Sequence, residues 1–125
     1  VAECCWRGFD HEEEEGPWNG RYIQNNYLLQ TAPHATMELS VAVVDENGDY
    51  ACWAGMWWTP ENKLAYLEPL CTIPKYRNRG LASAALSKLY RTMQNLGATH
   101  MTGGQDEFYH GAGAVPALKW TFWKK

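Results

Sequence analysis

Arg77-x-x-Gly80-x-Ala82 falls where a buried strand hands over to an amphipathic helix, in the stretch Tyr76-Arg-Asn-Arg-Gly-Leu-Ala-Ser83. A helix start carries unpaired N–H groups and the positive end of the helix dipole. Gly80 lets backbone approach an anion with no side chain in the way, so the turn can seat a phosphate. The plain alternative is a glycine that only punctuates a helix start. Upstream, Glu68 sits in an otherwise apolar strand beside Pro69. Desolvation there raises a carboxyl toward the pKa of a general base. The competing reading is a Glu paired with an Arg or turned to solvent.

The elements that must hold these groups follow from periodicity. Leu64 to Thr72 reads as a strand, in which Pro69 cannot donate a ladder hydrogen bond and should force a bulge or a parting from a neighbour. Gly80 to Leu96 reads as a helix with Ala82, Ala85, Leu86, Leu89, Met93 and Leu96 on one face, closed by Gly97. Before them, Glu38 to Val44 and Tyr50 to Trp58 form a hairpin about Asn47-Gly48. The second of these strands is apolar on both faces, so both must be covered. Ala2 to about Glu14 is expected as a helix carrying Cys5, Trp6 and Phe9 to the core, and about Gly20 to Gln30 as another, with Tyr22, Ile23, Tyr27 and Leu28 on one side. Thr99 to Thr102 is a short strand, Asp106 to about Gly111 a short helix, and Ala117 to Trp123 a last strand. A strand-helix-strand unit after an antiparallel meander gives a mixed sheet with helices on both faces.

The run LAYLEPLCTIPKYRNRGLASAAL, residues 64–86, resembles the signature of the GNAT N-acetyltransferase superfamily. The resemblance covers residues 38–123 well and residues 1–37 loosely. It implies an α+β, three-layer fold with a mixed, mostly antiparallel sheet flanked by helices, and acetyl-CoA as cosubstrate. A complete domain of that family has a strand before the first helix. This chain opens on a helix at Val1, so it is expected to be a trimmed piece with an edge of the sheet left short, which would favour a homodimer.

By the resemblance, Leu70, Cys71 and Thr72 offer backbone groups to the pantetheine arm and the thioester carbonyl. Asn78, Arg79, Gly80, Leu81, Ala82 and Ser83 supply the amides that hold pyrophosphate, with Arg77 opening the loop. Tyr109, in Asp106-Glu-Phe-Tyr-His110, matches the Tyr that protonates the departing thiolate in many members; its plain alternative is a core aromatic. The chain departs from the pattern in two places. It has Gln105 or Asp106 where many members have an Asn on the pantetheine, and Ala112-Gly-Ala114 where Leu-Gly-Phe is common.

The whole chain narrows the choice of function. Its 125 residues, 46% of them hydrophobic, form one domain with a real core, and the net charge of −3 argues against nucleic acid. Six basic residues between Lys63 and Arg91 suit a single anionic ligand. Cys4, Cys5, Cys52 and Cys71 show no zinc spacing, and Cys71 reads as a packed strand residue. No secretory signal or membrane-length apolar run occurs, which suggests reduced thiols in a cytoplasm.

His11, His34, His100 and His110 share no ligand spacing, so no metal is expected. Glu12 to Glu15 reads as a solvated face, or as a lure for a cationic amine. Trp53, Trp57 and Trp58 are core, or in part the aromatic wall of an acceptor pocket. The expected activity is acetyl transfer to the primary amine of a small molecule by direct attack in a ternary complex. The alternative is a noncatalytic acyl-CoA-binding or interaction domain of the same fold.

Overall fold

The computed structural model describes residues 1–104, 107–117 and 123. Helices α1 (Ala2–Gly8), α2 (His11–Glu15) and α3 (Ile23–Gln30) come first, then strands β1 (Val41–Val44), β2 (Tyr50–Thr59) and β3 (Leu64–Thr72). Helix α4 (Leu81–Asn95), strand β4 (His100–Thr102) and helix α5 (Glu107–Gly111) complete the described elements. The sheet order is β1-β2-β3-β4, antiparallel except for the β3/β4 pair. This is the mixed, helix-flanked α+β sheet expected.

The two-faced apolarity of β2 decides the layering. Cys52, Ala54 and Met56 join Ala65, Leu67, Ala85, Leu86, Leu89 and Met93 in the core under α4, with Trp58 packed against it. Trp53 instead joins Cys4, Cys71 and Ile73 under α1. At about 25 cal/mol per Å² of apolar surface, each fully buried large side chain contributes roughly 1.5–3 kcal/mol. The stripe Ala85, Leu86, Leu89 and Met93 therefore holds α4 on the sheet.

The expected helix of residues 2–14 is two helices. It breaks at Asp10, which adopts the left-handed conformation at φ 62°. A Cβ on Gly8 would lie 2.8 Å from Cys71 Cβ, so glycine lets the end of α1 pack closely on β3 just before the break. Trp6 is buried as expected, but Cys4 takes the second core position while Phe9 is 46% exposed.

Helix α3 also departs from its expected orientation. Ile23, Tyr27 and Leu28 are exposed, and Asn26, Leu29 and Gln30 face the sheet instead. Spacings of three and four residues put these on one face of the helix just as well.

The expected strand of residues 38–44 begins only at Val41, after a 3₁₀ turn at Met37–Leu39. The outer edge of β2 beyond β1 is closed by single bonds: Thr36 N–H to Met56 O, Met56 N–H to Ser40 Oγ, and Trp58 N–H to His34 O. The expected strand at 117–123 falls mostly outside the described residues.

Candidate active site

Two irregularities in β3 shape the site. The first is a bulge. Ala54 faces Leu70 while Met56 faces Leu67, so Glu68 and Pro69 together oppose the single residue Gly55. A Cβ at Gly55 would lie 2.2 Å from Glu68 O, so only glycine fits there. The break expected at Pro69 is therefore present, and a lone glycine in a strand was the signal for its partner.

The second irregularity is a parting from β4. The parallel pairing covers only Leu64 to Tyr66, after which Thr102 Oγ1 accepts from Leu67 N–H at 3.2 Å. Beyond this point β3 has no ladder partner on that side among the described residues. Ile73 N–H donates to Ala51 O, which makes 51/73 a hydrogen-bonded pair. Alternation then turns the backbone of Cys71 toward Trp53, and that of Leu70 and Thr72 away from β2 into the opening. Thr72 O is already taken by Arg77 Nε at 3.1 Å. Of the three residues expected to offer backbone groups, Leu70 and Thr72 turn theirs to the open side of β3, and Cys71 turns its own to β2.

The turn expected to seat a phosphate lies beyond the strand. A 3₁₀ turn at Pro74–Tyr76 leads to Asn78 at φ 59° and Gly80 at φ 75°, and Ala84 N–H makes the first helical bond to Gly80 O. The N–H groups of Asn78, Arg79, Gly80, Leu81, Ala82 and Ser83 have no acceptor among the described residues. Six consecutive free donors at a dipole's positive end form an anion seat. No atom lies within 4 Å of the position a Gly80 Cβ would take, so the approach is open. Lys75 and Arg79 add positive charge, their cations 4.6 and 5.7 Å from the Tyr76 ring centroid.

The Arg77 side chain is turned away from this seat. Its Nη2 donates to both Asp10 carboxylate oxygens and to Gly8 O, each at 2.9 Å. It fastens the α1–α2 corner to the phosphate turn. The sequence carried no signal for this clamp, since the partners are 67 residues apart. Tyr76 is fixed as well, its hydroxyl donating to Asp45. That bond, with the N–H groups of Asn47 and Asp49, holds the Asp45 carboxyl below its ordinary pKa.

Glu68 lines a shallow cleft, open to solvent, between α3 and the bulge. Trp53 and Trp57 share that cleft, while Trp58 belongs to the opposite face. Glu68 makes no ion pair or side-chain hydrogen bond with a described residue. Desolvation raises its pKa above the ordinary carboxylate value, although much of its surface remains exposed.

Tyr109 sits on the other face. Its ring lies on Gly103 and Gly104 at the exit of β4, where a Cβ on Gly104 would come within 2.5 Å of the ring. It also packs against the α4-side core. Gln105 and Asp106 lie outside the described residues, whereas Ala112 to Ala114 close α5 through Ala114 N–H to Tyr109 O. A wide groove between α4 and α5 runs from Ser83 past Ser87 and Tyr90.

The acidic run lies on α2, outside the cleft. Glu12 pairs with Arg7, and Glu15 with Arg21 and His11. All four cysteines are free, and no cluster of three or more metal-ligating residues occurs among the described residues. No described helix is long and apolar enough to cross a membrane.

The sequence matches the acetyltransferase (GNAT) family over residues 4–113. The chain belongs to this family. No curated protein sequence matches it significantly. Among solved structures it is similar to an acetyltransferase of Trypanosoma brucei, at TM-score 0.67 and 14% identity, covering 98% of this chain and 93% of that one. It is also similar to AAC(6')-Iy in complex with a CoA bisubstrate analogue, at TM-score 0.64 and 18% identity over 96% and 88% of the two chains. A third is aminoglycoside 6'-N-acetyltransferase AAC(6')-Ih of Acinetobacter baumannii, at TM-score 0.60 and 15% identity over 89% and 83%. At these identities the likeness is one of fold.

Proposed function

We propose that this GNAT domain transfers an acetyl group from acetyl-CoA to the primary amine of a small molecule by direct attack in a ternary complex. The observation that carries the reading is the row of six free N–H groups from Asn78 to Ser83, set beside the parting of β3 from β4. A pyrophosphate suits this turn: its free donors follow one another into a helix start, Lys75 and Arg79 add positive charge beside Tyr76, and Gly80 leaves the approach open.

When bound, acetyl-CoA supplies the activated thioester. The chain's own residues do the rest. Leu70 and Thr72 align the pantetheine arm along the free side of β3. Glu68, desolvated beside the tryptophans, takes a proton from the attacking amine. Tyr109 holds a phenolic proton for the departing sulfur. Holding both reactants in this order supplies much of the rate enhancement. The aminoglycoside acetyltransferase among the structural neighbours supports an amine acceptor.

The same reading places the protein in a reducing cytoplasm, which the four free thiols support. It also includes a homodimer through the outer edge of β1, where no described strand pairs with Val41–Val44. Sedimentation of the intact chain tests the dimer.

Calorimetry with CoA and acetyl-CoA, followed by thiol release across a panel of amines, tests the activity. Saturable binding with amine-dependent thiol release is expected. Absence of CoA binding would overturn the assignment, and binding with no acetylation of any amine would favour a noncatalytic acyl-CoA-binding domain.

A further inference from the structure

The cleft beside the β3 bulge has an unusual balance of polar groups. Its neutral polar side chains already have partners. Gln30 Nε2 donates to Asn26 Oδ1, and Thr36 Oγ1 accepts from Trp58 N–H while donating to His34 O. Ser40 Oγ accepts from Met56 N–H and donates to Thr36 O. Among the described lining residues, Glu68 is the one charged group, and it has no ion pair or side-chain hydrogen bond with a described residue. It stands between Trp53 and Trp57, with Leu29, Met37 and Pro69 completing the apolar wall.

We infer that this cleft selects an acceptor with a single ammonium group on a compact apolar or aromatic body, and disfavours polyamines and aminoglycosides. The inference rests on the acetyltransferase reading above and names the class of amine it acts on. One carboxylate balances one ammonium. A second ammonium would meet no counter-charge among the described lining residues, so it adds no attraction there. The acidic run on α2 cannot supply that counter-charge, because it lies outside the cleft and two of its members are already paired.

Trp57, only partly buried, favours a flat or apolar body and can hold the ammonium against its ring face, with the buried Trp53 forming the floor.

The test is binding of 2-phenylethylamine, spermidine and kanamycin, followed by tryptophan fluorescence and calorimetry with the chain alone and with CoA present. Phenylethylamine should bind at least ~tenfold more tightly than either polycation, and both Trp57→Ala and Glu68→Gln should weaken it by ~3- to 30-fold. Equal or tighter binding of spermidine or kanamycin overturns the inference. So does the absence of any amine binding, or phenylethylamine binding unchanged in both variants. Acetyl-CoA calorimetry judges the transferase reading separately. Acetyl-CoA binding with a preference for polycations sinks the acceptor class alone. Phenylethylamine binding without acetyl-CoA binding sinks the transferase reading alone.

Discussion

Glu68 and Tyr109 stand on opposite faces of the sheet, flanking the strand along which the cosubstrate is proposed to lie. Each implies a different kinetic signature. Because desolvation raises the Glu68 pKa, the ionised base is lost as pH falls through a range above that of an ordinary carboxyl. The acidic limb of kcat/KM should therefore lie higher than a free Glu would place it, and Glu68→Gln should lower the rate and remove that limb. An unchanged pH profile in the variant would assign proton removal elsewhere. The stability effect has the opposite sense. A carboxyl whose pKa is higher when folded binds more protons in the native state, so stability falls as pH rises from the unfolded value to the folded one. For Tyr109, replacement by Phe keeps the ring on Gly103 and Gly104 but removes the proton. Turnover should drop by ~10²-fold with acetyl-CoA affinity nearly intact, measured by thiol release and calorimetry. Full activity would make Tyr109 a packing residue.

At the level of elements, backbone geometry decides more than side chains do. Gly80 at φ 75° sits in a conformation that a β-branched residue occupies only under strain of about 1–3 kcal/mol. Gly80→Val should distort the seat and weaken CoA binding by ~10-fold or more by calorimetry; unchanged affinity would remove pyrophosphate from that turn. Gly55 makes the complementary case for the cleft. A methyl group there meets Glu68 O at 2.2 Å, so Gly55→Ala must flatten or displace the bulge. A fall in melting temperature corresponding to ~1–3 kcal/mol is expected, together with loss of the raised Glu68 titration. The hairpin, β3, α4 and the phosphate turn were legible in the sequence because each combines a strong local period with turn residues that agree with it. The break in the first helix and the inward face of α3 were not. Gly8 packs on Cys71, a contact far away in sequence, and α3 carries apolar residues on more than one side. The Leu70, Cys71 and Thr72 set was readable only as a strand; which of them turn outward depends on register against β2.

Across the whole molecule, the Arg77–Asp10 clamp ties the α1–α2 corner to the turn proposed to hold the cosubstrate. The pair is about 40% exposed on each side, so its direct contribution to stability is small, roughly 0–1 kcal/mol. Its larger expected effect is to hold the shape of the turn that carries the six free N–H groups. A ligand that binds only the native state stabilises it by about 2.7 kcal/mol at a hundredfold excess over Kd, which reads as a rise in melting temperature. Asp10→Ala separates the two effects, because Asp10 is on the α1–α2 corner, outside the proposed CoA-contacting turn, whereas Arg77 opens that turn. The variant should melt within a few degrees of the wild type when free, yet show a clearly smaller rise at the same acetyl-CoA concentration. A full ligand-induced rise in Asp10→Ala would mean that the turn keeps its shape unaided. The clamp would then serve only to fasten the α1–α2 corner, and binding would depend on local backbone alone.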